Sequence, residues 1–287
     1  MTDHLLIFGL GYAGAAVARA AVAAGMTVTA TSRDPAGAHP PPGVRIVGFE
    51  AAEPAVVTHV LATAPPGEAG DPVLAAHGAA LRHAPHLRWA GYLSTTGVYG
   101  DRQGGWVSES TPPAPSSERA RRRVAAEAGW AALAGRVPVD IFRVAGIYGP
   151  GRSPFDELRA GRARAIVKPG HAFGRIHRDD IARAVLAAAR QERAPWLRVL
   201  NLADDEPAES AVVLAEAAGL LGVAAPAEVP YAEAEPGMSD MQRSFWAENR
   251  RVSSARTQTM LGLRWLYPTF REGLRAILRE EAPNNPV

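Results

Sequence analysis

The chain of 287 residues contains no cysteine, which excludes disulfides, thiolate metal centres and a cysteine nucleophile. Lysine is nearly as scarce: among 31 basic residues only Lys168 is not arginine. Any chemistry that needs an ammonium group therefore has one candidate. No apolar run reaches the roughly 18–20 residues of a membrane span. No basic, cleavable leader precedes the first apolar segment, so the expectation is a cytoplasmic chain with no membrane partner. Charge of one sign is not in excess either, with 31 basic against 29 acidic residues. The arginine groups around Arg119–Arg123 and Arg159–Arg164 lie among acidic residues and lack interleaved aromatics. They read as solvated helix faces, and nucleic acid is not an expected partner. Solenoid repeats and low-complexity linkers are also absent.

What remains is a globular composition, 47% hydrophobic and 21% charged, long enough for one large domain or a domain with a smaller lobe. Its organising stretch is His4-Leu-Leu-Ile-Phe-Gly9-Leu-Gly11-Tyr12-Ala13-Gly14, followed by the alanine-rich segment Ala15–Ala24. An apolar run, a Gly-x-Gly-x-x-Gly turn and a helix former predict strand, tight turn and helix. Gly9 lets the chain turn off the strand, Gly11 lets backbone approach a pyrophosphate, and Gly14 lets helix and strand pack closely. Tyr12 and Ala13 open the helix, whose N-terminus offers free N–H groups and the positive end of its dipole. A second strand, Met26–Ser32, follows on schedule. The stretch therefore reads as a dinucleotide site.

The end of that second strand selects the cofactor. Its acidic slot falls at Ser32 with Arg33 next, which removes repulsion against a 2′-phosphate and offers a bidentate grip on it. This favours NADP, by a contact worth about 1.5–3 kcal/mol. Asp34 is the counter-candidate, about 20 residues beyond the glycines, and would favour NAD. Further strands are expected at Val44–Phe49, Thr58–Thr63, Trp89–Ser94 and Leu197–Leu202, with a helix over Gly70–Ala84. Thr63 and Ala64, at the carboxyl end of the fourth strand, fall where the ligand crevice of a parallel sheet lies. The alternation specifies an α/β, Rossmann-like doubly wound sheet.

Tyr92-Leu-Ser94-Thr95-Thr96-Gly97-Val98-Tyr99-Gly100-Asp101 adds a specific likeness. So do Phe142-Arg143-Val-Ala-Gly-Ile-Tyr148-Gly149-Pro150-Gly151, Arg175-Ile-His177-Arg178-Asp179-Asp180-Ile181-Ala182 and Asn201-Leu-Ala-Asp-Asp-Glu-Pro207. With the glycine turn, these resemble the extended and atypical short-chain dehydrogenase/reductases, the NAD(P)-dependent epimerase/dehydratase group. The resemblance covers nearly the whole chain. It implies a nucleotide-binding domain over 1–202, with 149–176 open to assignment to the substrate lobe, and a small C-terminal lobe over 203–287. A homodimer is a family-level expectation.

Members of this group carry Ser/Thr, Tyr and Lys, the last two spaced Tyr-x-x-x-Lys. Aligning on Val98-Tyr99-Gly100 puts Thr95 in the hydroxyl slot. Aligning on Val124–Glu127 puts Arg123 in the lysine slot and Arg119 in the tyrosine slot. A guanidinium stays protonated, so Arg119 cannot act as the phenolic acid. The resemblance leaves Thr95 to hydrogen-bond the substrate oxygen, Arg123 to take over ribose binding and Tyr99 as the substitute acid. Tyr99 has an alternative reading as a packed loop tyrosine. Thr96, Lys168 and Arg175 are candidate substrate contacts, with His171 beside Lys168 and His177 beside Arg175. Arg175 and His177 have the alternative of supporting the turn before the next helix, and Lys168 and His171 that of lying in an exposed loop. Asp179 and Asp180 are expected to cap the helix Ile181–Arg190, and Asp71 to fill an asparagine position of the site. His83 and His86 read as surface residues, and no metal site is expected.

Beyond residue 202, helices are expected at Glu209–Leu221, Leu261–Leu266 and Phe270–Glu280, with an irregular, substrate-covering loop at Pro226–Met238 and a disordered tail over Glu281–Val287. The function that follows is an atypical NADP-dependent oxidoreductase or epimerase acting on a small polar, sugar-derived metabolite. The alternative is an NADP(H)-binding sensor without turnover, because the Tyr–Lys pair is replaced by Arg119 and Arg123.

Overall fold

Alternate side chains of a strand leave the sheet on opposite faces, so an apolar run covered on both sides is the signature of a buried parallel strand. The computed structural model describes residues 2–281. Such runs make the inner strands of one seven-stranded parallel sheet, which two less buried strands close at its edges: β1 (His4–Phe8), β2 (Thr27–Ser32), β3 (Val44–Gly48), β4 (His59–Ala62), β5 (Trp89–Thr95), β6 (Val139–Val144) and β7 (Leu197–Leu202). Their spatial order is β7-β6-β5-β4-β1-β2-β3, every pair parallel. The order reverses between β1 and β4, the switch point at which open α/β sheets hold their ligands.

The helices are α1 (Tyr12–Ala23), α2 (Pro72–His83), α3 (Glu118–Ala131), α4 (Pro154–Arg159), α5 (Arg178–Arg190), α6 (Ser210–Leu221), α7 (Tyr231–Ala234), α8 (Asp240–Trp246), α9 (Ala255–Leu261) and α10 (Phe270–Glu281). The alternation within β1 shows how they layer. Leu5 and Ile7 pack with Ala16, Val17 and Ala21 of α1 and with Ile181 and Val185 of α5. Leu6 and Phe8 face the other way, onto Val73 and Leu81 of α2 and Ala126 and Trp130 of α3. A third core joins Tyr148 and Phe155 to α6 and α10 through Val213, Ala217, Phe270 and Leu274. Among the described residues no helix is long and apolar enough to cross a membrane.

Element bounds follow the sequence closely except near the C-terminus. The helix expected at Leu261–Leu266 is displaced: α9 ends at Leu261, where Gly262 takes a left-handed conformation and stops it. The segment Pro226–Met238 is partly regular, with a strand at Glu228–Pro230 against Ala165–Val167, then α7. Asp179 and Asp180 do not cap α5. The cap is His177, whose ring nitrogen accepts the Asp179 N–H at 3.2 Å. Asp180 is fully buried and takes the N–H groups of Leu266 and Tyr267 at 2.6 and 2.9 Å, which ties the C-terminal segment to α5. Of the expected tail, residues 282–287 lie outside the described residues.

Candidate functional site

The glycine turn is built as its spacing predicts. Gly9 has φ +97°, a left-handed conformation that side chains rarely adopt. A Cβ on Gly14 would lie closer than 3.0 Å to the Gly9 carbonyl oxygen, so only glycine permits the contact between strand and helix. Gly11 differs. It is the N-cap of α1 with no side-chain cap, and a Cβ there would meet nothing within 4 Å. The first N–H groups of α1 therefore have no side-chain cap, and the space beside Gly11 is open, which suits a phosphate. Thr63 supports the turn from below, its hydroxyl donating to Gly9 O at 2.6 Å, with Ala64 beside it. Thr31 accepts the Gly9 N–H at 3.0 Å.

Tyr12 is half-buried at the mouth of this turn. Its hydroxyl donates to Pro150 O at 3.0 Å, and the guanidinium carbons of Arg152 and Arg178 lie 5.7 and 5.5 Å from its ring centroid. Burial pushes its pKa up, and the nearby arginines oppose the shift. At the end of β2, Ser32 and Asp34 close on each other: the Ser32 hydroxyl accepts Asp34 N–H at 3.1 Å and donates to Asp34 O at 2.9 Å. The Asp34 carboxylate turns into its own loop and accepts the Gly37 N–H at 3.1 Å. Arg33 is exposed.

At the end of β5, the Thr95 hydroxyl oxygen accepts the Gly97 N–H at 3.1 Å and leaves its proton free to donate. Thr96 is buried. Arg119 and Arg123 both fall on α3, which packs against β5 and the following turn. Arg123 gives Nη1 to Leu93 O at 2.8 Å and to the Tyr92 hydroxyl at 3.0 Å, which fixes it on the strand. Tyr92 is pushed up to about 12 by burial, against the pull of Arg123. Arg119, one turn earlier, is exposed and lies over the Phe245 ring, 5.2 Å from its centroid.

Tyr99 is not placed to act as an acid. It is fully buried, its hydroxyl donates to Asn201 Oδ1 at 2.7 Å, and the Arg143 guanidinium stacks 4.8 Å from its ring centroid. Burial raises its pKa. The packed alternative holds. Tyr99 belongs to a buried chain that sequence reasoning missed. Ser94 donates to Glu127 at 2.5 Å, and Arg143 grips both carboxylate oxygens of Glu127 at 3.1 and 2.8 Å. Asn201 then binds Ser253 O and Thr257, and Thr257 donates to Glu109. Removing one partner of a buried pair such as Arg143–Glu127 costs about 3–5 kcal/mol. A serine and an arginine inside two apolar strands were the available signal.

Lys168 and Arg175 are engaged elsewhere. Lys168 donates to Trp246 O at 2.7 Å and lies over the Tyr231 ring. Arg175 donates to Phe173 O and Ala208 O at 2.9 and 3.1 Å. Both hold backbone carbonyls together, as the turn-supporting alternative for Arg175 expects. His171 is buried between Phe173 and Trp246. Asp71 caps α2 and receives the Trp130 indole N–H at 3.1 Å, a structural role. His83 and His86 are exposed. Two surface depressions of about 560 and 570 Å³ are lined by none of the candidate residues.

The structure adds Arg250. Its Nη1 donates to Gly100 O at 3.1 Å and to Glu248 at 2.5 Å. A Cβ built on Gly97 would lie 3.8 Å from its Nη2 and 3.5 Å from the Thr95 side chain. No motif spacing pointed to this residue.

A solved structure of a functionally unknown conserved protein from Silicibacter pomeroyi DSS superposes on the chain with a TM-score of 0.87 and 42% identity, covering 97% of this chain and 99% of that one. The two chains belong to one family. Their fold is that of the extended short-chain dehydrogenase/reductases, the NAD-dependent epimerase/dehydratase group. The human epimerase family protein SDR39U1, solved with NADPH, shares it at 19% identity and TM-score 0.76, covering 96% of this chain and 99% of that chain. MoeE5, solved with UDP-glucuronic acid and NAD, does so at 20% identity and TM-score 0.74, covering 96% and 98%. No family model matches the chain, and no curated sequence does.

Proposed function

We propose that the chain is an NADP(H)-dependent oxidoreductase or epimerase of short-chain dehydrogenase/reductase type, working without the usual phenol and ammonium pair. The observation that carries it is the uncapped start of α1, opening on free space at Gly11 beside the Ser32–Arg33 strand end. The neighbours solved with NAD or NADPH support a nicotinamide cofactor. Gly9, Gly11, Tyr12, Ala13 and Gly14 would hold its pyrophosphate, and Ser32 and Arg33 its adenosine ribose. Asp34 already accepts Gly37 N–H, which favours the 2′-phosphate form. Such a cofactor supplies a hydride donor or acceptor. Thr95 would hydrogen-bond the substrate oxygen with its free proton, and Arg123 and Arg119 would stabilise negative charge there without transferring a proton.

A second reading, a nicotinamide-dinucleotide sensor without turnover, is favoured by one observation: Arg119 and Arg123 occupy the tyrosine and lysine slots. Two measurements separate the readings. Calorimetric titration with NADP⁺ and NAD⁺ tests the cofactor; tighter NADP⁺ binding is expected. NADPH oxidation across a panel of carbonyl compounds then tests turnover, with Thr95→Ala expected to lower it. Tight binding with no oxidation by the wild-type chain leaves the sensor.

A further inference from the structure

An exposed guanidinium with no carboxylate in reach adds like-charge repulsion to its neighbours. On α3, Arg121 and Arg122 avoid this by pairing with Glu118, and Arg122 also approaches Glu68. Arg119 and Arg123 do not. Among the described residues neither has an acidic partner: Arg119 lies over Phe245, and Arg123 gives Nη1 to two neutral acceptors. Four residues apart on one helix, the two side chains leave α3 on the same face. Arg250 closes in from the C-terminal segment, with Nη2 turned to Gly97. The absent side chain at Gly97 leaves room between Thr95 and Arg250. The acids nearby are already occupied: Glu248 by Arg250 and Ser116, Asp101 by the N–H groups of Asn249 and Gln103. Asp71 and Glu127 act on Tyr92 from the inner side, but Asp71 is taken by the N–H groups of α2 and Trp130, and Glu127 by Arg143 and Ser94. Two guanidiniums without a carboxylate partner therefore stand one turn apart on α3.

We infer that the substrate carries an oxyanion, a carboxylate or phosphate, close to its reacting carbon, and that Arg119 and Arg123 hold it with Arg250 Nη2 as a further donor. A guanidinium fork matches either group in bidentate fashion, whereas a neutral sugar hydroxyl leaves both charges unmatched. This deepens the NADP(H)-dependent reading and rests on it for the reaction, though not for the binding of the anion.

The test titrates oxalate, inorganic phosphate and the neutral isostere oxamide into the full chain, with and without NADP⁺, at constant ionic strength. Oxalate or phosphate is expected to bind and oxamide not to. Arg119→Gln, a surface change, is expected to weaken anion binding about tenfold or more while leaving NADP⁺ affinity unchanged. Arg123→Lys keeps the charge but loses the fork, and is expected to weaken it less. Oxalate tighter than phosphate assigns a carboxylate, and the reverse assigns a phosphate. Equal binding by wild type and Arg119→Gln, or equal binding of oxamide, overturns the inference. If NADP⁺ fails to bind while the anion still binds through Arg119, the cofactor reading falls and the anion site stands. If NADP⁺ binds and neither anion does, the anion site alone is refuted.

Discussion

Replacing Gly11 and Gly14 one at a time by alanine separates a glycine kept for its ligand from one kept for the fold. At Gly11 the backbone is extended, φ −82° and ψ −170°, which alanine adopts freely. The added methyl meets no atom within 4 Å, so no overpacking follows. Loss of chain entropy favours alanine by about 0.4–1 kcal/mol. Alanine is the poorer N-cap by a similar amount, about 0.5–1 kcal/mol. The two nearly cancel, and Tm is expected to stay within about 2 °C of wild type. At Gly14 the methyl would press on the Gly9 carbonyl oxygen. Backbone must move, at about 1–3 kcal/mol, lowering Tm by about 3–9 °C. NADPH binding should respond in a different pattern. Gly11→Ala puts a methyl where the phosphates approach, and affinity should fall about tenfold or more despite unchanged stability. Thermal melts with and without NADPH read both quantities. A Gly11→Ala chain that keeps wild-type NADPH affinity refutes the assignment of the open space over α1 to the pyrophosphate.

Arg33→Ala should weaken NADP⁺ binding about ten- to a hundredfold and leave NAD⁺ unchanged; equal losses for both cofactors would remove Arg33 from the 2′-phosphate. His177, buried against Tyr148 and Tyr267, has its pKa pushed down to about 4 by burial. The unfolded histidine titrates near 6.5, so the unfolded state binds more protons between pH 6.5 and 4. Stability is therefore intact above pH 6.5 and falls as pH drops through that window, by up to about 3 kcal/mol. Urea unfolding at pH 7 and pH 4.5 measures the loss, and an NMR titration placing His177 near 6.5 would contradict it. The double variant Arg119→Tyr/Arg123→Lys introduces a phenol and an ammonium on α3 at the cost of the two guanidiniums. With neutral carbonyl compounds, which do not need those guanidiniums, it should raise NADPH-dependent reduction at least about tenfold, since a placed acid contributes about 10²–10⁴; no gain with them would mean that the two positions do not limit turnover.

Six of the seven sheet strands were legible because their signal is local, whereas the inner strand Val139–Val144 carries Asp140 and Arg143 inside its apolar run and was missed. Leu5 to Phe8 alternate between two cores, and Gly9, Gly11 and Gly14 act within one turn of chain. The geometry of the glycine turn was legible for the same reason. The substrate side was less so. Tyr99 follows a strand in a motif that invites a catalytic reading, yet its hydroxyl meets Asn201, 102 positions away. Arg175 and Lys168 carry charge, which suggested a ligand, but backbone carbonyls brought close by the lobe take up their donors. Asp180 looked like a cap and instead holds the N–H groups of Leu266 and Tyr267. In each case the deciding partner is distant in the chain, and no spacing rule reaches it.

Arg119, Arg123 and Glu127 form a row that descends α3 from solvent into the interior: exposed, half-buried, buried. The row is a gradient of tolerance to exchange. At its upper end Arg119 touches only the face of Phe245, so a different side chain there leaves the architecture intact. At its lower end Glu127 holds Ser94 and Arg143 together, and any exchange strands both. One helix can thus carry a replaceable chemistry on a scaffold that cannot be exchanged.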